Sequence, residues 1–282
     1  MLTIWKNRWF SYQNIKSDLH NKGKNMTTQV LVATMNQTDF SLLEKMNIQT
    51  DAIVCNQCDK NEVTEFDYKG NKIKWLSFAE QGVGLNRNNA LMRATADICI
   101  LADDDMIFNK GYLPLALMAF DKLKKADVII FNLDEEEITQ YKNTKIRKIN
   151  KLNYAKYGAA RIAFRRDKVL LESISFNLLF GGGAKYSAGE DTLFLKKCLD
   201  SGLKIYAVPY SLACLTDSRP STWFTEYNDK YFYDKGVLFY SLKSKFCKSH
   251  CFYHCLKHRK RYKAYGWFKA YKMMLKGIKS VK

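Results

Sequence analysis

The chain has 282 residues, of which 47% are hydrophobic and 14% aromatic, and its formal net charge at pH 7 is +18. This length accommodates one large α/β domain with a short appendage, and the apolar content excludes wholesale disorder. The charge is concentrated, because residues 241–282 contain thirteen Lys or Arg and no Asp or Glu, which leaves +5 for the rest. The positive charge is therefore a local feature of the C-terminal segment.

The sequence gives no sign of export or of a membrane-spanning helix. Residues 1–13 have no apolar stretch long enough for the hydrophobic region of a signal peptide. No window approaches 18 consecutive apolar residues, so no transmembrane helix is predicted. Eight cysteines are present, and without a secretory signal the simplest interpretation is reduced thiols in a cytosolic protein.

Strand-like and helix-like segments alternate along the chain. Residues 1–28 are polar with scattered aromatics and predict an irregular or helical lead-in. Apolar runs then predict strands at 29–34, 51–55, 72–77, 97–102 and 127–133. Helical spacing or composition predicts helices at 40–46, 85–95 and 113–124. This alternation is typical of βαβ units, so the predicted fold class is α/β with a mainly parallel sheet flanked by helices.

The second half of the chain is less regular. Residues 134–158 are charged and aperiodic, which indicates a surface excursion. Short strands are predicted at 160–164 and 207–209, and a helix at 191–201 that Gly202 closes.

Three adjacent carboxylates, Asp103, Asp104 and Asp105, follow the strand predicted at 97–102. Ligands of such sheets bind beyond the carboxyl ends of the strands. Adjacent like charges repel, and burial raises their pKa values, so the run needs either water or a cation around it. Oxygen ligands suit Mg²⁺ or Mn²⁺, and Mg²⁺ is commonly held by one or two carboxylates plus substrate phosphates. From the triplet alone, a divalent-metal site and a solvated turn stay equally open.

Residues 81–108 resemble the family-2 glycosyltransferases of the GT-A fold. The pair Arg87-Asn88 opens a helix, Ala96-Asp97 precedes an apolar strand, and the acid run stands as the family's Asp-x-Asp motif. The opening strand and turn, VLVATMNQTD, are also similar, as is the later GGGAKYSAGEDTLFLKKCLDSGLKIYAVP with its Gly-Glu-Asp motif. The resemblance covers about 29–210 and implies a Rossmann-like GT-A fold with a basic C-terminal helical extension. The predicted organisation is a lead-in at 1–28, a catalytic domain at 29–240 and a basic amphipathic tail at 241–282.

The resemblance also implies a donor site with a divalent metal, Mn²⁺ or Mg²⁺. Carried over, Asp103 and Asp104 lie near the ribose or diphosphate, and Asp105 binds the metal, with Asp103 as a second ligand. The other implied contacts to the nucleotide sugar are Thr34, Asn56, Arg87, Gly182 and Gly183. A solvated helix residue is the alternative for Arg87, and a plain surface loop is the alternative for the glycines.

The base of the nucleotide is less defined. Asn56 and Gln57 stand where the family often has an Asp that contacts uracil, and both can hydrogen-bond a base edge. UDP remains the favoured carrier. No histidine occurs between residues 21 and 249 to complete the metal shell as in the family, and Asp217 is a candidate substitute.

Glu190 and Asp191 form the second acidic site. Sugar transfer with inversion needs a base that takes the proton of the attacking hydroxyl. The resemblance implies an acid of this motif, with Asp191 preferred and Glu190 second. The alternative is that both acids cap the following helix. Trp223 is a weaker candidate for stacking on an acceptor sugar, and a core tryptophan is its alternative.

The basic tail has helical periodicity. Apolar residues recur at three- to four-residue spacing, namely Trp267, Phe268, Tyr271, Leu275 and Ile278. This pattern predicts a basic amphipathic helix suited to an anionic membrane surface. Nucleic-acid binding and a solvated helix packed on the domain are the alternatives.

Upstream of that helix, cysteine and histidine recur every four residues, at Cys247, Cys251 and Cys255 and at His250, His254 and His258. Inward-packed cysteines bordered by histidines are the favoured interpretation, and a metal site on one helix is the other.

The predicted function is an inverting glycosyltransferase that moves a hexose from a nucleotide sugar to a hydroxyl of a saccharide acceptor. A lipid-linked surface polysaccharide intermediate is the favoured acceptor, and the enzyme is expected in the cytoplasm, peripheral on the inner face of the cell membrane, without a nucleic-acid partner. A nucleotidyltransferase would carry a Gly-rich phosphate loop where this chain has Met35-Asn36-Gln37-Thr38. A non-catalytic basic membrane- or nucleic-acid-binding protein would tolerate the loss of both acidic sites.

Overall fold

The computed structural model describes residues 26–134, 141–216, 226–242 and 245–282. Ten strands in this part of the chain form one sheet: β1 Thr28–Met35, β2 Asp51–Gln57, β3 Glu62–Tyr68, β4 Asn71–Phe78, β5 Ile98–Asp103, β6 Met106–Phe108, β7 Val128–Asp134, β8 Arg147–Lys148, β9 Ile162–Arg165 and β10 Ile205–Leu215. The α-helices described are α1 Leu42–Lys45, α2 Val83–Arg93, α3 Tyr112–Lys122, α4 Arg166–Leu171, α5 Glu190–Asp200, α6 Asp229–Leu242, α7 Cys247–Lys257 and α8 Trp267–Lys279.

The sheet is mixed, and its strand order is β3-β4-β2-β1-β5-β9-β7-β10-β6, with β8 paired to β10. Parallel ladders join β1 to β2 and β5, β2 to β4, and β7 to β10. The short strand β9 runs antiparallel to both β5 and β7 and so links the two parallel groups. The predicted α/β class is confirmed, and the predicted strands at 29–34, 51–55, 97–102 and 127–133 correspond to β1, β2, β5 and β7.

Three local predictions differ from the structure. The predicted third strand, at 72–77, is β4, because the polar strand β3 precedes it and forms a hairpin with it. The predicted strand at 207–209 is the centre of the much longer β10. The segment 134–158, predicted as a surface excursion, contains the short strand β8 and a 3-10 turn at Tyr154–Lys156.

Helices cover both faces of the sheet. Alternate residues of β1 face opposite ways: Val30 and Val32 pack in a core that includes α1 and α3, whereas Leu31 packs in a core that includes α2 and α5. The register of the parallel strands aligns their carboxyl ends, since Ala33 pairs with Asp103 and Thr34 pairs with Asn56. The carboxyl ends of β1, β2 and β5 therefore meet at one place, as parallel pairing requires.

The last three helices form a unit with its own apolar core, in which Phe232, the three cysteines of α7, Met274 and Ile278 are buried. The helices α6 and α8 touch through glycines: a Cβ on Gly236 would lie 2.1 Å from the Met274 carbonyl oxygen, and a Cβ on Gly277 would lie 2.1 Å from that of Tyr233. The predicted boundary between 240 and 241 thus falls inside α6, whose residues belong to this helical unit.

Cysteines and histidines of α7 have separate neighbours. Cys247, Cys251 and Cys255 are buried in the core of the helical unit, as the favoured interpretation predicted. The rings of His250 and His254 pack edge-on against Phe239, at centroid distances of 4.5 and 5.1 Å. Among the described residues, no helix is both long and apolar enough to cross a bilayer.

Candidate active site

The carboxyl ends of β1 and β5 are joined by a short polar bond. The Thr34 hydroxyl donates to Oδ2 of Asp104 at 2.6 Å, and the Gln37 amide donates to the same hydroxyl at 3.0 Å. On the other side, the Asn86 amide of α2 donates to the Thr34 carbonyl oxygen at 3.1 Å. Thr34 is thereby fixed between the opening turn, the helix α2 and the acid run. Sequence reasoning missed Gln37 and Asn86, although both lie inside the motifs that the resemblance singled out.

Arg87 connects the two acidic sites. One guanidinium nitrogen donates to Oδ1 of Asp103 at 2.6 Å and the other donates to Oε1 of Glu190 at 2.8 Å. The Arg87 side chain is only 6% exposed, which excludes the alternative of a solvated helix residue. Its guanidinium also lies 5.6 Å from the centre of the Phe176 ring. Asp103 and Glu190 are 87 residues apart in sequence, and this buried bridge holds them at one point.

Both carboxylate oxygens of Glu190 accept hydrogen bonds within the protein. Its Oε1 accepts from Arg87 and its Oε2 accepts from the backbone nitrogen of Gly189 at 3.1 Å. A Cβ on Gly181 would lie 2.9 Å from Glu190, and Gly181 has a φ of +106°, so only glycine fits between the bridge and α2.

Asp191 differs from its neighbour in both bonding and acidity. Its Oδ1 accepts from the backbone nitrogen of Thr192 at 2.5 Å and from its hydroxyl at 3.2 Å. Within the described part of the chain nothing donates a hydrogen bond to Oδ2. Burial raises the pKa of Asp191 to about 7, the negative charge of Glu190 adds to this, and Arg87 and the Thr192 bonds oppose it. A carboxyl with a pKa near neutrality is suited to exchange a proton with a substrate hydroxyl.

The glycine run before this site lies against α2. The Gly182 carbonyl oxygen accepts from the Val83 nitrogen at 2.9 Å, at the first turn of α2. A Cβ on Gly183 would be 3.0 Å from the Gly82 nitrogen, whereas one on Gly182 would meet nothing within 4 Å. Of the two predicted donor contacts, Gly182 therefore has open space beside it, and Gly183 packs on the turn before α2.

Asn56 lies at the same sheet edge but faces inward. It is 1% exposed, and its amide forms two hydrogen bonds with the backbone of Gln37. The Asn56 Oδ1 accepts from the Gln37 nitrogen and the Asn56 Nδ2 donates to the Gln37 carbonyl oxygen, each at 2.9 Å. This pairing braces the opening turn. Contact with a nucleotide base would require Asn56 to give up these bonds.

The residue that follows β10 is hydrogen-bonded to the acid run. Thr216, just after β10, donates to the Asp105 carbonyl oxygen from its backbone nitrogen at 2.8 Å and from its hydroxyl at 3.1 Å. The described residues contain no cluster of three His, Cys, Asp or Glu side chains that would enclose a metal ion. The carboxylates present, with Asp103 already bound to Arg87, fit an ion held by one or two carboxylates and completed by phosphate and water. Asp217 and Trp223 lie outside the described residues.

The helical unit reaches this site through α6. Buried Asp234 accepts from the backbone nitrogen and the hydroxyl of Ser187, two residues before Gly189. A Cβ on Gly189 would lie 2.5 Å from Leu238, so α6 lies directly against the chain that enters α5. Sequence reasoning missed this contact, because it joins residues some 47 positions apart and no local pattern reports it.

A family model supplies the assignment: the model described as "Glycosyl transferase family 2" matches residues 41–181, half of the chain. The chain belongs to glycosyl transferase family 2. The matched segment contains Arg87 and the acid run, and it ends nine residues before Glu190. No match was found among curated protein sequences.

Solved structures of S. aureus TarS share the fold of this family member. A crystal structure of TarS 1–349 matches with a TM-score of 0.53 and 16% identity, over 77% of this chain and 65% of that chain. The same fragment in complex with UDP-GlcNAc matches with a TM-score of 0.54 and 17% identity, over 77% of this chain and 66% of that chain. A further TarS structure matches at 0.52 and 17%, over 76% of this chain and 40% of that one. The chain thus spans slightly less than two thirds of the TarS fragment, and the likeness confirms the GT-A fold.

Proposed function

We propose that this family-2 member transfers a hexose from a nucleotide sugar, with UDP as the favoured carrier, to a hydroxyl of a saccharide acceptor, with inversion at the anomeric carbon. The main support is the buried bridge in which Arg87 binds both Asp103, at the end of β5, and Glu190, beside Asp191. It joins a predicted donor-binding carboxylate, Asp103, to Glu190, and the next residue along the chain is Asp191, whose pKa is raised to about 7. Family membership and the complex of the similarly folded TarS with UDP-GlcNAc agree with such a donor.

In the proposed reaction, the carboxylate of Asp191 takes the proton of the acceptor hydroxyl. The hydroxyl oxygen bonds to the anomeric carbon as the bond from that carbon to the diphosphate oxygen breaks, and the nucleoside diphosphate leaves with the electron pair. Arg87 holds Glu190 beside the base, where the negative charge of Glu190 adds to the raised pKa of Asp191 and the positive charge of Arg87 opposes it. A divalent cation held by Asp105, with Asp103 as a second ligand, would neutralise charge on the leaving diphosphate.

The acceptor is a further part of the proposal. A lipid-linked polysaccharide intermediate suits an enzyme with a strongly basic C-terminal unit, since acceptor and enzyme then share one surface. Trp223 is proposed as a stacking residue for the acceptor sugar.

The nucleotidyltransferase alternative has less support. The turn after β1 has no glycine-rich phosphate loop, and its Gln37 side chain is engaged with Thr34. Such a loop offers free backbone N–H groups to a phosphate. In this turn the backbone nitrogens of Asn36 and Gln37 donate to Gln57 and Asn56 instead.

The first test is thermal stability with a panel of nucleoside diphosphates, each with and without Mn²⁺. Ligands that bind only the folded protein raise its melting temperature. We expect a shift with UDP that requires the metal and is lost in Asp105→Ala. The exposed Asp121→Ala is the matched control and should keep the shift. A panel without any shift at millimolar ligand would overturn the donor assignment and favour a non-catalytic basic protein.

The second test is turnover. With UDP-hexoses and saccharide acceptors, Asp191→Asn should abolish transfer while the metal-dependent shift with UDP remains. The anomeric configuration of the product, read by proton NMR, distinguishes inversion from retention.

A further inference from the structure

The helix α8 presents only part of its predicted apolar face to solvent. Met274 and Ile278 are fully buried, and they pack with Phe232 and Cys251 in the core of the helical unit. Leu275 and Tyr271 are half-buried beside them. The C-terminal part of the face that sequence reasoning assigned to a membrane thus packs in the core that α8 shares with α6 and α7. Phe268 is the member of the predicted set that remains largely exposed, at 51%.

The N-terminal part of that predicted face joins residues of α7 in one surface that is partly exposed. On α7, Phe252 and Leu256 are one turn apart and are 43% and 39% exposed. The Phe252 ring contacts the rings of Trp267 and Tyr271 of α8, at centroid distances of 6.3 and 5.5 Å. Trp267 in turn contacts Phe268 at 5.7 Å. We call these five residues the aromatic face: ring contacts join four of them, and Leu256 extends the surface along α7 by one turn.

One lysine on each helix borders the aromatic face. Lys248 is exposed one helical turn before Phe252, and the Lys272 ammonium lies 4.7 Å from the centre of the Phe268 ring. Residues 241–282 contain no acid. Asp229 of α6 lies 3.5 Å from Lys269 and forms an exposed ion pair with it. The surface therefore combines exposed apolar rings with excess positive charge.

We infer that the aromatic face docks on an anionic lipid surface, with its rings at the headgroup–acyl boundary and its lysines on lipid phosphates. Phenylalanine and leucine lack hydrogen-bonding groups, and aromatic rings with lysine are the composition that binds such interfaces. Single-stranded RNA would need open ring faces for base stacking. Here Phe252 meets its two ring neighbours edge-on, at 72° and 76°, so these rings already pack against each other.

The inference goes beyond the proposed transfer reaction and does not depend on it. It makes the chain a peripheral membrane protein through a surface of α7 and α8 rather than through a free amphipathic tail. Because α6 of the same unit contacts Ser187 and Gly189, docking would also hold the predicted base at a fixed height above the lipid.

Co-sedimentation with vesicles tests this surface in the full chain. We expect binding to vesicles of phosphatidylcholine with phosphatidylglycerol, and little binding to phosphatidylcholine alone. Phe252→Gln with Phe268→Gln should weaken binding by at least about tenfold. Lys248→Gln with Lys272→Gln should weaken it on the order of thirtyfold and reduce its dependence on salt.

Two double variants on the catalytic domain are the matched controls. Leu152 and Leu171 are 92% and 75% exposed, so Leu152→Gln with Leu171→Gln removes exposed apolar area elsewhere. Lys124→Gln with Lys125→Gln removes the same charge from exposed positions elsewhere. Both controls should bind like the unaltered chain.

Three outcomes would overturn the inference. The first is equal binding to both vesicle types, and the second is unchanged vesicle binding of the Phe252 and Phe268 double variant. The third is that the chain does not bind vesicles but binds single-stranded RNA, and that the Lys248 and Lys272 double variant loses this RNA binding. The substituted side chains are exposed, and circular dichroism with a melting curve checks that each variant is folded.

Discussion

Asp234 accepts two hydrogen bonds from Ser187, one from its backbone nitrogen and one from its hydroxyl, both at 2.9 Å. Asp234 is buried on α6, and Ser187 lies three residues before Glu190. A side chain of the helical unit therefore positions the segment that leads into both acids of the second acidic site.

Asp234→Ala should leave both Ser187 donors without a partner, at a cost of about 1–3 kcal/mol in the free energy of unfolding. We expect kcat to fall more than the KM for the nucleotide sugar rises, because the segment near the predicted base loosens. Lys230→Ala is the matched control, since the Lys230 side chain is 61% exposed and also binds Asp234. Equal kcat in both variants would assign Asp234 no positioning role.

The raised pKa of Asp191 predicts a pH profile for the reaction. The proposed base acts only when ionised, so kcat/KM should rise with pH and level off above about 7. Glu190→Gln removes a negative charge that raises the pKa of Asp191, so the rise should move to lower pH. Steady-state kinetics from pH 5 to pH 9 would measure both profiles. A profile that keeps its midpoint in Glu190→Gln would argue that Asp191 is not the titrating group.

The same pKa shift predicts how stability changes with pH. Folded Asp191 holds its proton up to about pH 7, whereas in the unfolded chain it loses it near 3.8. Between these values the folded state binds more protons, so this residue's contribution to stability falls as pH rises and is lost above 7. Asp191→Asn should therefore be more stable than the unaltered chain at pH 8 and about equally stable near pH 4, as urea unfolding would measure. A constant difference at both pH values would contradict the assignment.

Arg87→Lys should break the buried bridge, because one ammonium cannot reproduce the two-sided geometry of the guanidinium. Lysine keeps the charge and Asp103 is 35% exposed, so we expect a loss of about 1–3 kcal/mol in the free energy of unfolding and a lower melting temperature. The UDP-dependent shift should shrink as well. Arg93→Lys, on the same helix but partly exposed, is the control and should change the melting temperature little. A stable Arg87→Lys with full transfer activity would show that the bridge is dispensable.

Gly236→Ala should destabilise the helical unit, although alanine is about 1 kcal/mol better than glycine inside a helix. The new Cβ would lie 2.1 Å from the Met274 carbonyl oxygen, so α6 and α8 would have to separate. Gly182→Ala, which adds a Cβ in open space, is the matched control for unfolding measurements. An unchanged unfolding midpoint in Gly236→Ala would contradict the close contact of the two helices.

The elements that sequence predicted well are those whose pattern is local. β1, β2 and β5 are apolar on both faces because helices cover both sides of the sheet, and such runs are easily read. The strand β3 was missed because it is a largely exposed edge strand with charged residues, which gives no apolar run.

In the candidate site, too, sequence predicted local features but not the contacts between distant residues. The positions of Asp103 and Asp104 at a strand end followed from the sequence, but their partners did not. The bridge from Arg87 to Glu190 spans 103 residues, and the inward turn of Asn56 depends on the backbone of Gln37. The predicted ligand contacts of Asp105, Gly182 and Trp223 stay predictions.

The contact between Asp234 and Ser187 also has a consequence for synthesis on the ribosome. The sheet and both acidic sites are complete in the growing chain before α6 emerges, and α6 needs α8 for its packing. The segment before Glu190 is therefore braced only after about ninety further residues have been added. A nascent chain that already has its predicted donor site should remain inactive until then, so premature termination within α8 would yield a protein that binds nucleotide but transfers little sugar.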